Sequence, residues 1–239
     1  MRYSCGTLNE VTAAILIGGL GTRLRSVVPD RPKVLAEVRG QPFLAFLLDQ
    51  LTTTGIKRVV LCAGYKGEQV QAAFGQSYRA LELLYSQEAS PLGTGGAIRL
   101  AINLLDSEPV LVMNGDSYCG VDLMTFWTWH GKRNAAGSML LAQTLETERY
   151  GRVQVDSDGL VVGFHEKGKG GGKGWINAGV YFLGQDFILS IPTNREISLE
   201  REIFPMWVGR KLYGYQSAGH FLDIGTPEDY AAAERFFAP

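Results

Sequence analysis

Short apolar runs closed by glycine alternate with helical stretches over the first 135 residues. Thr12 to Ile17 is one such run and stops at Gly18-Gly19, the length and ending of a strand buried on both faces rather than of a helix. Phe43 to Leu51 has a helical composition, Arg58 to Cys62 is a second buried strand and Glu68 to Phe74 a helix. Leu81 to Ser86 follows as an extended segment, Ala97 to Leu105 as a helix, and Pro109 to Met113 as a further strand ending on Asn114-Gly115-Asp116. This alternation predicts an α/β fold, with a Rossmann-like, mixed, mainly parallel sheet and helices on both faces. Ligands of such sheets bind beyond the carboxyl ends of the strands, so the glycine-bearing turns should converge on one site.

After about residue 135 the texture changes. Ser138 to Gln143, Gly151 to Val155, Leu160 to Phe164 and Ile176 to Leu183 are short strand-like runs with few helices between them, as expected of antiparallel additions to the sheet. Gly168 to Gly174, rich in Gly and Lys, reads as a surface loop. Ser198 to Val208 and Pro227 to Phe237 are expected helices, the second capped by Thr226 with Asp229 three residues on. With no internal repeat and no linker, residues 1–239 read as a single domain. The change of texture divides it into a first half of about 11–135 and a second of about 136–239.

Composition narrows the function. Lys plus Arg number 23 against 24 Asp plus Glu, a net charge of −1, so there is no basic surplus for a nucleic-acid backbone, although a small anion needs only a local cluster. Three cysteines, Cys5, Cys62 and Cys119, show no CxxC or Cys/His spacing, as expected of reduced cytoplasmic thiols. No apolar stretch predicts a membrane span or signal peptide. The expected partners are small molecules, with no nucleic acid and no membrane, and a homo-oligomer is compatible with the sequence. Glycine is the unusual entry in the composition, 30 of 239 residues or about 13% where roughly 7% is usual.

Several of those glycines mark chemistry. Gly18-Gly19-Leu20-Gly21-Thr22-Arg23 has neither the third glycine of a dinucleotide fingerprint, since Leu24 stands there, nor the Lys-Ser/Thr of a Walker loop. Its backbone N–H groups could still nest polyphosphate oxygens, with Arg23 forking two of them and Lys33 aimed by Pro32. Asp116 ends an apolar strand and Asp223 interrupts an apolar run, Phe221-Leu222-Asp223-Ile224. Together they are a candidate Mg²⁺ pair, because that cation takes one or two carboxylates plus phosphate oxygens. Glu166-Lys167 could grip sugar hydroxyls and phosphate, Tyr150-Gly151 could offer a backbone N–H, and Asn177-Ala178-Gly179 opens another strand. Pro91 to Gly96 is a second glycine-rich turn, able to approach a flat base. His130, His165 and His220 lack metal spacing and read as ordinary core or surface histidines.

Taken in order, Gly18 to Leu24, Pro32-Lys33, Pro91 to Gly96, Asn114 to Asp116, Glu166-Lys167, Asn177 to Tyr181 and Phe221 to Tyr230 resemble the sugar-1-phosphate nucleotidylyltransferases from Val11 to Phe237. The resemblance implies attack by a sugar 1-phosphate on the α-phosphorus of a nucleoside triphosphate, releasing pyrophosphate with Mg²⁺ as cofactor. It implies Leu16, Gly18, Gly19, Gly21, Thr22, Arg23, Glu88, Gly93, Thr94 and Asp116 around the nucleotide. Asn114, Gly151, Glu166, Lys167 and Asn177 would surround the sugar phosphate. Arg23, Lys33, Asp116 and Asp223 would be catalytic, the two aspartates holding the metal.

Val34-Leu35 after Lys33 and Gly168 after Lys167 depart from the family's usual prolines and methionine, which puts the edge of the sugar pocket in question. The Glu88 to Gly96 and Arg149 to Val153 segments look most like the branch that uses GTP and D-glycero-D-manno-heptose 1-phosphate. Glu88 suits that base, because guanine offers N1–H and N2–H₂ donors to a carboxylate. The alternatives are mannose 1-phosphate with GTP, N-acetylmuramate 1-phosphate with UTP, glucose 1-phosphate with dTTP, or a non-catalytic sugar-nucleotide sensor. The sensor should lack a catalytic residue, yet Arg23, Lys33, Asp116 and Asp223 are all present.

Overall fold

The computed structural model describes residues 7–19, 21–165 and 172–238. In chain order the first strands are β1 (Thr12–Leu16), β2 (Glu37–Val38) and β3 (Gln41–Pro42), followed by α1 (Phe43–Thr52), β4 (Arg58–Ala63) and α2 (Gly67–Phe74). Next come β5 (Ser77–Tyr78), β6 (Leu81–Gln87), α3 (Gly93–Leu100), β7 (Val110–Asn114), β8 (Ser117–Cys119) and α4 (Leu123–Gly131). The rest comprises β9 (Gly137–Thr144), β10 (Arg152–Val155), β11 (Val161–His165), β12 (Gly174–Leu183), α5 (Gln185–Leu189), α6 (Phe204–Trp207), β13 (Leu212–Ser217), β14 (Phe221–Asp223) and α7 (Pro227–Phe236).

One large sheet runs β11-β10-β12-β7-β1-β4-β6-β5. Its centre is parallel: β7, β1, β4 and β6 lie side by side, Ala13 to Leu16 opposite both Val59 to Cys62 and Leu111 to Asn114. Ala13, Ala14, Ile15, Val59, Val60, Leu61, Leu111 and Val112 are wholly buried, as expected of strands covered on both faces. Two apolar clusters fill the layers, one around Phe43, Leu47 and Phe126 and the other around Tyr181, Phe187 and Phe204.

The added strands are antiparallel where the sequence predicts it, β12 to β7, β9 and β10, and β10 to β11. β13 differs, returning parallel to β9. α4, unread in the sequence pattern, is capped by Asp122, whose side chain accepts from the Met124 N–H at 3.0 Å. Its buried residues Leu123, Phe126, Trp127 and His130 share one face at helical spacing, while apolar Met124 and Trp129 lie off that face, partly buried, and blur the two-faced pattern. The helix expected from Ala97 starts earlier, at Gly93, and gives way to a 3₁₀ turn at Ala101–Leu104. The helix expected over Ser198 to Val208 is instead a π-helical turn, Leu199–Ile203, running into α6 with Pro205 in the first turn of α6. Thr226 caps α7 as its sequence implies, accepting from the Asp229 N–H at 3.3 Å. Among the described residues no helix is long and apolar enough to cross a membrane.

Candidate active site

Two cavities open at the carboxyl ends of the parallel strands. The first, about 440 Å³, is lined by every residue expected around the nucleotide: Leu16, Gly18, Gly19, Gly21, Thr22, Arg23, Glu88, Gly93, Thr94 and Asp116. They come from three turns, after β1, after β7 and between β6 and α3, that parallel pairing carries to one edge. The second, about 370 Å³, is lined by Asn114, Gly151 and Asn177 from the expected sugar-phosphate set, together with Asp223. Glu166 and Lys167 lie outside the described residues, as does most of the Gly168 to Gly174 tract. Arg23, Asn114 and Asp116 line both cavities and form their shared wall.

Lys33 organises that wall. Its ammonium lies 2.9 Å from Asp116 Oδ2 and 3.7 Å from Asp223 Oδ1, with the side chain only 11% exposed. The two aspartates, more than a hundred residues apart, meet because β14 pairs antiparallel with β8 and sets Asp223 opposite Ser117. Two carboxylates around one small cation, beside a cavity sized for phosphates, fit Mg²⁺. Among the described residues no group of three or more His, Cys, Asp or Glu gathers, so such an ion would take its remaining ligands from substrate oxygens and water. Asn114 Oδ1 is buried on the same wall, and no group among the described residues donates to it.

The floor of the second cavity is a defect in β12. Between Asn177 and Tyr181 the pairing with β9 breaks register, and Gly179 takes a left-handed φ of +75°. A Cβ there would lie 2.7 Å from Ser117 Oγ and 2.8 Å from Asn114 Nδ2, so only glycine lets the bulge nest against β7 and β8. Asn177 is fixed at both ends of its amide: Oδ1 accepts from the Gly179 N–H at 2.9 Å and Nδ2 donates to the Tyr181 hydroxyl at 2.7 Å. Tyr150 and Phe221 meet edge to face at 5.5 Å on the same cavity, while the neighbouring Arg149 pairs with Asp229 at the start of α7.

Glu88, half-buried, lines the first cavity. Its Oε2 accepts from the Leu92 N–H at 3.0 Å, while Oε1 rests against Gly18 and Gly64, where any side chain would displace it. Burial raises its pKa, the Leu92 N–H opposes that rise, and nearby Glu196 adds to it. Gly64, which follows the strand β4, is a neighbour of Glu88 that the sequence pattern hid.

The glycines of α3 turn out to serve packing as well as ligand access. Gly95 donates its N–H to the Ile197 carbonyl at 2.8 Å, and Gly95 and Gly96 leave room for the 195–197 segment. Ser198, Glu200 and Arg201, which follow that segment, also line the second cavity. They went unread because a Ser followed by alternating charged and apolar residues signals a helix start before it signals a ligand.

The histidines stand apart from both cavities: His130 is buried in the core, and His165 and His220 are exposed. Cys62 and Cys119 are buried and unbridged, their thiols pushed up to about 12 and about 11 by burial, and Cys5 lies outside the described residues.

Comparison with known proteins gives one family and a consistent set of relatives. The family described as nucleotidyl transferase matches residues 12–238. The D-glycero-alpha-D-manno-heptose 1-phosphate guanylyltransferase of Aneurinibacillus thermoaerophilus is 38% identical over 93% of this chain and 96% of its own length. The mannose-1-phosphate guanylyltransferase of Mycobacterium tuberculosis is 37% identical over 93% of this chain but only 63% of its own. Among solved structures, HddC from Yersinia pseudotuberculosis complexed with GMP-PN superposes with a TM-score of 0.83 at 32% identity, covering 95% of this chain and all of that one.

Proposed function

Because the chain belongs to the nucleotidyl transferase family, we propose that it transfers a guanylyl group from GTP to D-glycero-D-manno-heptose 1-phosphate, releasing pyrophosphate and forming a GDP-sugar for surface polysaccharide synthesis. The observation that carries this reading is the shared wall: Arg23, Asn114 and Asp116 line both cavities, so two phosphorylated substrates would meet there. The guanine assignment rests on Glu88, a fixed carboxylate in the first cavity that matches the N–H pair of that base. The sugar assignment rests on the Aneurinibacillus relative.

Residues 11–135 supply most of the nucleotide cavity and 136–239 much of the sugar-phosphate cavity, and the halves act as one unit. Glu196 and Gly225 reach into the first cavity, while Arg23, Asn114, Asp116 and Ser117 reach into the second. GTP and Mg²⁺ as reactants make the cytoplasm its expected compartment.

In-line displacement at phosphorus asks for positioning and charge neutralisation rather than a protein nucleophile. The sugar phosphate already carries its attacking oxygen as an anion, and neither cavity is lined by a cysteine or histidine among the described residues. Gly18, Gly19 and Gly21 present backbone to the triphosphate, and exposed Arg23 reaches the phosphates of both substrates from the shared wall. Lys33 offsets the negative charge that grows on the oxygens around the α-phosphorus. Asp116 and Asp223 would hold Mg²⁺, which supplies Lewis-acid neutralisation of phosphate oxygens. Asn177 and Gly151 orient the sugar.

A second reading, mannose 1-phosphate as acceptor, is favoured by the 37% identity to the Mycobacterium enzyme. Pyrophosphate release, measured with Mg²⁺ across GTP, ATP, UTP and dTTP against heptose, mannose, glucose and N-acetylmuramate 1-phosphates, separates the readings. GTP with the heptose phosphate should be fastest. Release with no pair would leave a sugar-nucleotide sensor.

A further inference from the structure

A strap of hydrogen bonds crosses from the base end of the first cavity to the wall of the second. It starts at Glu88, whose Oε2 accepts from the Leu92 N–H. The Leu92 carbonyl accepts from the Ile197 N–H at 2.8 Å, and the Ile197 carbonyl accepts from the Gly95 N–H at 2.8 Å. Thr94 then closes the strap with its hydroxyl, accepting from the Leu199 N–H at 2.8 Å and donating to Glu200 Oε2 at 2.8 Å.

Ser198 holds the same carboxylate from the other side. Its hydroxyl donates to Glu200 Oε2 at 2.9 Å and accepts from the Arg201 N–H at 3.2 Å. The π-helical turn that begins here is therefore pinned at its first residues, and it presents Glu200 and Arg201 to the second cavity.

A carboxylate offers about four lone-pair sites, so two hydroxyls on one oxygen leave acceptor capacity for further donors. A sugar is a dense array of such donors, and its phosphate is an anion suited to a guanidinium fork. Orienting Glu200 by two hydroxyls before the ligand arrives is what an acceptor aimed at ring hydroxyls requires.

We propose that Glu200 and Arg201 bind the sugar 1-phosphate, Glu200 through its hydroxyls and Arg201 through its phosphate, and that Thr94 and Ser198 are positioning residues for Glu200. Thr94, although it lines the nucleotide cavity, then acts chiefly on the sugar. The inference rests on a sugar phosphate occupying the second cavity, as proposed above.

The test is calorimetric titration of mannose 1-phosphate and D-glycero-D-manno-heptose 1-phosphate into the full chain with Mg²⁺ and a saturating GTP analogue whose α,β bridge is a methylene, which cannot react, the analogue being titrated separately. Thr94→Val should weaken sugar-phosphate binding by about 10-fold, the loss of one positioning hydrogen bond, and Ser198→Ala should do the same while analogue affinity stays within about 3-fold. Thr94→Ser should restore binding, and Glu200→Gln and Arg201→Ala should each weaken it by at least as much as Thr94→Val. The proposal is overturned if Ser198→Ala weakens the analogue as much as the sugar phosphate, if Glu200→Gln and Arg201→Ala bind like wild type, or if wild type binds neither sugar phosphate. Wild-type protein that binds a sugar phosphate yet releases no pyrophosphate would refute the proposed reaction and leave this inference standing.

Discussion

The two cavities are built by different means. The first is made mainly from turns that follow successive parallel strands, so the sheet gathers most of its contributors at the strand ends. The second depends on a register break in β12, a two-stranded pairing of β8 with β14, and a π-helical turn pinned by side chains. A parallel sheet places its ligands by periodicity, whereas the antiparallel side places them by exceptions to periodicity. Lys33 and its two aspartates stand where the two constructions meet.

That contrast can be broken at the junction first. Lys33→Ala should lower turnover by about 10²–10³-fold, the cost of losing one preorganised charge partner. Circular dichroism should stay that of the wild type, because the side chain contributes little to either apolar cluster. Near-normal turnover would remove Lys33 from the reaction.

A second test probes the antiparallel side for stability rather than chemistry. His130 of α4 is buried, with Nδ1 2.7 Å from Ser138 Oγ on β9, and burial lowers its pKa to about 4. The unfolded chain binds this proton near pH 6.5, so the stabilisation is full above that pH and is lost as pH falls from 6.5 toward 4. Its size is about 3 kcal/mol. Urea melts at pH 7.5 and 4.5 should show wild type losing more stability than His130→Phe by that order, and equal losses would contradict the account.

Gly179→Ala tests the bulge. Left-handed strain and the clash with Ser117 and Asn114 should cost about 1–3 kcal/mol at this site. The KM for the sugar phosphate should therefore rise by about 10-fold, with a smaller change for GTP. Equal changes in both would mean that the bulge does not serve the sugar side in particular.

Glu88→Gln is the mildest change. It should reduce the preference for GTP over other triphosphates by about 10-fold, the worth of a charge-assisted hydrogen bond. In the wild type the raised pKa of Glu88 should make the GTP KM climb with falling pH earlier than an ordinary glutamate would.

How far each region was legible follows from the same contrast. Gly18, Gly19, Gly21, Thr22, Arg23, Glu88, Asn114 and Asp116 announce themselves as polar or glycine residues ending apolar strands, and the structure gathers them. Asp223 was legible too, because a carboxylate between Leu222 and Ile224 has no place in packing. Ser198, Glu200 and Arg201 were not, since a π-helical turn has no period of its own in a sequence, and their role depends on Thr94, about a hundred residues away. Gly95 and Gly96 were read for ligand approach because nothing local reveals the strand-like segment at 195–197 that they accommodate. α4 was missed although Leu123, Phe126, Trp127 and His130 keep a one-face spacing, because apolar Met124 and Trp129 lie off that face and blur the pattern.

The central claim is that the sugar phosphate itself attacks the α-phosphorus across the shared wall, with the protein supplying position and charge. The most direct measurement is the configuration at phosphorus in the GDP-sugar formed from one diastereomer of GTP sulfur-substituted at the α-phosphate. A single in-line attack predicts inversion. Retention would require two displacements and a covalent nucleotidyl intermediate on the protein, which would contradict the account.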